Sequence, residues 1–238
     1  MEETANTRAL ILNIKDYKES DALVLVYSKD YGRLNLLLRG AKKTESKMIG
    51  HLQPISLARL MIIKGRTFDY VGAAISERTY QSIRADINKL FYVGKMFSLF
   101  ISQVKDNEKD EKLFKLLEKY LDLIELEDNF NMEAGKMYYL QFSLRLITIL
   151  GYQPELRNCI SCKKKLEKGK NFFDLREGGI VCNTCANTDT NHLLTISDNC
   201  VIMMRYLISN EKRVQLKVAR RVVSEASKII EKYILYNK

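Results

Sequence analysis

Two cysteine pairs, Cys159-x2-Cys162 and Cys182-x2-Cys185, stand 19 residues apart in a chain of 238 residues. A two-residue gap lets both sulfurs of one pair face one ion at about 2.3 Å, and two such pairs complete a tetrahedron of thiolates. Four thiolates leave no coordination position for water or substrate, so the spacing predicts one structural Zn2+ held by Cys159, Cys162, Cys182 and Cys185. Soft sulfur ligands favour zinc over harder divalent ions. The remaining cysteine, Cys200, lies in the apolar run Cys200-Val-Ile-Met-Met204 and reads as a small buried hydrophobe. His192 follows the second pair closely, but four cysteines already fill the site.

The module around these ligands reads as a metal-held hairpin, with short apolar runs at Asn171–Leu175 and Glu177–Val181 and turn signals at Gly169 and Gly178-Gly179. So short a segment has little core of its own, and metal binding would supply its folding free energy.

A second cluster of chemistry lies near the N-terminus. The stretch Arg33-Leu-Asn-Leu-Leu-Leu-Arg39-Gly40-Ala41-Lys42-Lys43-Thr-Glu-Ser46-Lys47 places a strand directly before a glycine-containing basic loop. The even spacing of Arg33 and Arg39 puts both on one face of that strand. Cations on a barrel strand and its loop can follow a phosphate backbone. Tyr17, Tyr27, Tyr31, Phe68 and Tyr70 fall in the same region, and any of them left exposed would offer a ring for base stacking.

The elements that must position these groups are legible from periodicity. Runs at 8–14, 21–27, 32–40, 55–64 and 67–76 read as five short strands, the second and third joined as a hairpin and the last two by a turn at Gly65-Arg66. Five strands in so short a span fit an OB-fold barrel. From residue 82 the period changes. Helices are predicted over 82–104, around Leu113–Ile124 on one apolar stripe, over Met137–Leu150 as a buried central helix, over 197–209 with Ser197 as N-cap, and over 215–236. In the last helix Val218, Val222, Ala226, Ile229, Ile230 and Tyr233 form the apolar face, with Lys217, Arg221 and Lys228 roughly opposite. The expected architecture is therefore α+β: an OB-fold over 1–80, then a helical domain over 81–238 with the zinc finger inserted at about 155–192.

Composition narrows the function. Lys and Arg total 39 against 29 Asp and Glu, for a net charge of +10. The excess sits at the ends, with 13 basic against 9 acidic residues over 1–82 and 9 against 4 over 193–238. That balance favours a polyanionic partner. No apolar run is long enough to span a bilayer, and the first residues lack a signal-peptide core. A cytoplasmic protein without membrane contact is expected, in a compartment where thiols stay reduced. The sequence holds no P-loop, no GxGxxG, no HExxH and only two histidines, so a binding protein is expected in place of an enzyme.

These features together resemble the RecO family of bacterial recombination mediators. The resemblance is carried by Ala9-Leu-Ile-Leu with Tyr17-Lys-Glu-Ser-Asp21, by Gly32-Arg33 leading to Arg39-Gly40-Ala41-Lys42-Lys43, by Ser46-Lys47 and Leu52-Gln53-Pro54, and by the cysteine quartet after Leu150-Gly151-Tyr152-Gln153-Pro154. It covers nearly the whole chain in order, although the last two helices match only by position and pattern. It implies an OB-fold followed by a helical domain with an inserted zinc finger. It also implies binding of single- and double-stranded DNA and annealing of complementary strands, including strands coated by single-stranded-DNA-binding protein. Further implications are RecA loading with RecR, docking of the coating protein's acidic tail on the helical domain, no nucleotide cofactor, and association with the nucleoid during repair. By the same resemblance DNA contact falls on Arg33, Arg39, Lys42, Lys43 and Lys47, and on Arg66. Lys217, Arg221 and Lys228 would extend the path. Other readings of the residues remain: a zinc-ribbon RNA-binding or transcription-associated adaptor, a peripheral membrane protein using the last helix, and a thiol-redox protein.

Overall fold

In the computed structural model, residues 3–42, 48–187, 190–210, 212, 216 and 218–237 are described. Five strands form a closed barrel: β1 (Thr4–Tyr17), β2 (Asp21–Ser28), β3 (Gly32–Leu38), β4 (Ser56–Ile63) and β5 (Tyr70–Arg78). The order β1-β2-β3-β5-β4, with β1 also paired to β4, is the arrangement of an OB-fold. β1 is long because it serves two neighbours: residues 4–11 pair with β4 and residues 9–17 with β2, across an irregularity between Ile11 and Asn13. The remaining closure is slight, a single parallel pair Leu37↔Tyr70 between β3 and β5.

Alternation along the strands fills the barrel. Ala9, Ile11, Val24, Val26, Leu36, Leu38, Leu60 and Ile62 share one buried cluster. Burial of each such branched side chain stabilises the fold by about 1.5–3 kcal/mol. Tyr27 points away from that cluster. It is fully buried, lies edge-on to Phe100 at 4.9 Å, and its hydroxyl accepts from the Asp110 N–H at 3.2 Å. Burial pushes the Tyr27 phenol up to about 12.

The helix expected over 82–104 is two helices, α1 (Gln81–Ala85) and α2 (Ile87–Gln103). Asp86 divides them, because its carboxylate accepts from the N–H groups of Asn88 and Lys89 at 2.7 and 3.1 Å and starts a new helix. α3 (Glu111–Glu125) follows, capped by Asp110. By packing, the barrel and α1–α3 form one compact unit, residues 1–128, and residues 129–238 form a second. The change from strand to helix falls at about residue 80, as expected, but the three-dimensional division comes after α3.

The second unit contains α4 (Met132–Ile149), α5 (Asp198–Ser209) and α6 (Arg220–Tyr236), packed on one another. α4 begins five residues before the expected start, where the Asn131 side chain accepts from the Glu133 and Ala134 N–H groups. Ser197 caps α5 as expected, its hydroxyl accepting from the Cys200 N–H at 3.3 Å. α6 starts at Arg220 instead of 215, so Val218 precedes the helix, and Lys217 lies outside the described residues. Two arginines in that first turn oppose the helix dipole. The Glu133 carboxylate compensates by pairing with Arg220.

Between α4 and α5 lies the cysteine module. Its sheet has three strands where two were expected: β6 (Asn171–Asp174) is central, with β7 (Gly179–Cys182) and β8 (Leu193–Ile196) on either side. The module also has more core than the sequence suggests. Phe172, Phe173, Leu175, Ile180 and Val181 are buried, and Phe173 meets Tyr233 of α6 edge-on at 5.5 Å.

Candidate metal centre and nucleic-acid interface

The first cysteine pair sits on a tight backbone loop in which the Lys163 N–H donates to the Cys159 carbonyl at 2.9 Å and the Cys159 N–H to the Lys164 carbonyl at 2.8 Å. The second repeats the pattern, with the Cys185 and Ala186 N–H groups donating to the Cys182 carbonyl, each at 3.0 Å. β7 carries Cys182 to the first loop, where its N–H reaches the Cys159 sulfur at 3.4 Å. All four sulfurs lie within 4.8 Å of one another, and those of Cys162 and Cys182 are 3.9 Å apart. Sulfurs each ~2.3 Å from a central ion would be about 3.8 Å apart, so this spacing fits a tetrahedral metal site. A disulfide needs sulfurs near 2.05 Å, and all five cysteines are free thiols.

The electrostatics favour a bound cation. Burial acts to raise the Cys159 thiol, but the N–H groups of Cys182, Cys162 and Ser161 outweigh it and bring it down to about 6. The Thr184 hydroxyl lowers Cys182. Cys185 is raised to about 12, chiefly by its sulfur neighbour Cys182, a crowding of thiolates that a divalent ion would relieve. His192 stands apart from the quartet, its Nε2 3.6 Å from the Asp174 carboxylate. Cys200 is buried as expected, which raises its thiol to about 12.

The module is anchored to the helices of its own unit. Arg205 on α5 donates to the Leu156 carbonyl at 2.8 Å, and the Tyr233 hydroxyl donates to the Tyr152 carbonyl at 3.1 Å. At Gly178 the backbone has φ +68°, and a Cβ there would lie 2.3 Å from the Tyr233 hydroxyl, so glycine is required on both counts.

The barrel presents the second site, where β3 ends. Beyond Leu38 the chain turns through Gly40, whose φ is +64° and whose N–H donates to the Asp21 carboxylate at 2.8 Å. The Lys42 N–H donates to the Ser20 carbonyl at 3.0 Å, so the Arg39-Gly-Ala-Lys42 turn is pinned to the β1–β2 turn. Arg39 is exposed, with its guanidinium 4.3 Å above the Tyr70 ring. Lys42 is exposed and pairs with Asp16 at 2.9 Å. Tyr17 and Phe68 meet edge-on at 5.7 Å, and the Lys18 ammonium lies 5.4 Å from the Tyr17 ring. Arg66 is exposed on the loop that carries Phe68. One end of the barrel therefore gathers Lys18, Arg39 and Lys42 with Tyr17, Phe68 and Tyr70.

Not every expected contact residue belongs to that surface. Arg33 does not share an open face with Arg39. Its side chain is 17 % exposed, pairs with Asp106 at 2.5 Å and donates to the Ile101 carbonyl, because β3 runs beside the segment that follows α2. Tyr27 is buried, and Tyr31 is exposed at the opposite end of β3. Lys43 and Lys47 lie outside the described residues. Arg221 and Lys228 are exposed on α6 of the second unit, with Ser224 between them. Lys18 was not anticipated; the signal was its place in the tight turn between β1 and β2.

An OB barrel with a cationic, aromatic-bearing end, followed by a helical unit whose four clustered cysteines could hold a metal ion, defines the class of protein. Comparison with known proteins gives the particular family. The N-terminal model of recombination protein O matches residues 1–80 and its C-terminal model matches residues 84–237. The DNA repair protein RecO of Desulforamulus reducens is 30 % identical over 230 residues, 96 % of this chain and 87 % of that protein. RecO of Dehalococcoides mccartyi is 30 % identical over 224 residues, covering 92 % of this chain and 85 % of its own length. RecO of Alkaliphilus metalliredigens is 26 % identical, covering 96 % of this chain and 92 % of its own. The chain belongs to the RecO family of DNA repair proteins, and its fold is consistent with a role in repair and recombination. No helix among the described residues is long and apolar enough to cross a membrane.

Proposed function

We propose that this protein is a recombination mediator that binds single- and double-stranded DNA and anneals complementary strands, including strands coated by single-stranded-DNA-binding protein. The observation that carries this reading is the grouping of Arg39, Lys42 and Lys18 beside Tyr17, Phe68 and Tyr70 at one end of the barrel. Cations there neutralise phosphates and release counterions, while the half-buried rings beside them offer unpaired bases a stacking surface. Two DNA strands repel each other, and a basic protein that holds both lowers the cost of bringing them together.

The mechanism is electrostatic and involves no bond making, so the protein is not an enzyme and needs no nucleotide. The ion in the cysteine quartet is zinc, and it is structural: four thiolates exclude water and fix the module's two loops. RecR is the partner with which the protein helps to load RecA, and the acidic tail of the coating protein brings it to covered DNA. It works in the cytoplasm, at the nucleoid.

The test is annealing of two complementary oligonucleotides, one precoated with single-stranded-DNA-binding protein, across a salt series. Acceleration without ATP that falls steeply with salt supports the reading. Intact binding to bare strands with no acceleration would refute mediation, and a preference for RNA would move the protein to an adaptor role.

A further inference from the structure

The cysteine module carries a charge pattern that metal binding does not explain. Around its first loop, Arg157, Lys163, Lys164, Lys165, Lys168 and Lys170 are all exposed. Against these six cations the stretch 155–170 holds two acidic residues, Glu155 and the exposed Glu167. The Glu155 carboxylate is occupied by the N–H groups of Arg157 and Asn158, at 2.6 and 3.0 Å. Lys163, Lys164, Lys165 and Lys168 make no ion pair among the described residues.

The lysines are held on a stiff support. Asn158 bridges Lys165 in antiparallel fashion, and the Leu166 N–H donates to the Arg157 carbonyl at 3.1 Å. Lys163, directly after Cys162, has φ +61°. Glycine adopts that conformation without strain, whereas a residue with a Cβ does so at a cost. Structure alone would favour glycine at 163. A lysine at this position, beside two more, stands in one of the sparsely populated backbone conformations that cluster at functional sites.

We propose that the Cys159–Cys162 loop is a second phosphate-binding surface, one that engages the nucleic-acid backbone through Lys163, Lys164 and Lys165. This rests on the DNA-binding reading above and adds to it a separate site for the annealing reaction. A compact ammonium on a flexible stem suits phosphate as a point charge without base preference. A lipid surface is the poorer match, because none of the large exposed apolar side chains among the described residues falls within 155–196, and interfacial binding needs apolar insertion. The bound ion would keep the loop rigid, so less entropy is lost when phosphates are engaged.

The experiment compares four full-length, metal-loaded proteins by salt titration of binding to a single-stranded oligonucleotide. They are the wild type, a Lys163→Ala/Lys164→Ala/Lys165→Ala variant, Lys163→Gly, and Arg39→Ala/Lys42→Ala. Metal content and melting temperature are recorded for each. Removing three phosphate contacts should flatten the slope of log K against log salt by about 2, and removing one by about 0.7. Lys163→Gly should show that smaller loss with a melting temperature equal to or above the wild type, which separates function from folding. Wild-type slopes in both lysine variants, with a flattened slope in Arg39→Ala/Lys42→Ala, would overturn the loop proposal and leave the barrel surface standing. The loop proposal would also be overturned if the lysine variants bound DNA normally but lost a polyglutamate probe, which would indicate an acidic protein partner. No salt-dependent binding by the wild type would remove both readings together.

Discussion

Arg33 decides whether cations on β3 belong to the DNA surface or to the fold. Its guanidinium donates to the carbonyl of Ile101, in the last turn of α2, where carbonyls lack a partner further along the helix. A hydrogen bond from a charged donor contributes about 1.5–3 kcal/mol. The pair with Asp106 adds at most about 1 kcal/mol, because that carboxylate is 50 % exposed and water screens it. Arg33→Ala should therefore cost about 2–4 kcal/mol. With a urea dependence of about 2 kcal/mol per molar, the unfolding midpoint would fall by about 1–2 M. The salt slope for DNA binding should stay at the wild-type value, since an Arg33 engaged in this way is not available to phosphate. The assay is urea unfolding followed by circular dichroism, paired with a salt titration of oligonucleotide binding. An unchanged midpoint with a slope flattened by about 0.7 would refute the assignment and return Arg33 to the DNA path.

Arg39→Ala with Lys42→Ala should do the reverse. The slope should flatten by about 1.4, while urea stability changes by about 1 kcal/mol or less, as expected for one exposed cation–π contact and one surface pair. Gly178→Ala should lower the stability of the 129–238 unit by about 3 kcal/mol. The change forces a left-handed alanine and displaces Tyr233 from both the Tyr152 carbonyl and the Phe173 ring. A calorimetric scan would show it as a downward shift of that unit's transition. Chelation should expose four thiols to a colorimetric thiol reagent under native conditions, with the fifth appearing only in denaturant, because Cys200 is fully buried and its thiol is raised to about 12. A fifth fast thiol in the chelated, folded protein would contradict that burial.

The two sites differed in how legible they were in the sequence, for a physical reason. The quartet is set by local spacing: each cysteine pair is one tight backbone loop, and only one long-range event, β7 returning Cys182 to Cys159, is needed to complete it. The five-stranded barrel was legible too, since alternation along the strand runs fixes which face is buried. The fate of each cation on that barrel was not. Even spacing places Arg33 and Arg39 on one face of a strand, but β3 ends at Leu38, so Arg39 stands in the turn while Arg33 meets what lies beside the strand's first residues. Asp106, in the segment after α2, is 73 residues away in sequence and captures Arg33. Strand parity cannot see such a neighbour. Helix boundaries depended on caps that periodicity does not register. Asp86 divides one apolar stripe because a side-chain carboxylate competes for the next N–H groups, and periodicity alone reads straight through it.

The backbone strain at Lys163 runs opposite to that at Gly178. Both residues stand at positive φ in the same module, at 61° and 68°. At 178 the chain uses glycine, and the Tyr233 hydroxyl would exclude anything larger. At 163 the chain keeps a long cationic side chain that faces solvent, although glycine would relieve the strain. Packing accounts for the first choice and offers no reason for the second. The two residues therefore divide the module into a face that holds the fold together against α6 and a face whose charge is available to a partner. A stabilised Lys163→Gly protein with unimpaired DNA binding would remove that distinction.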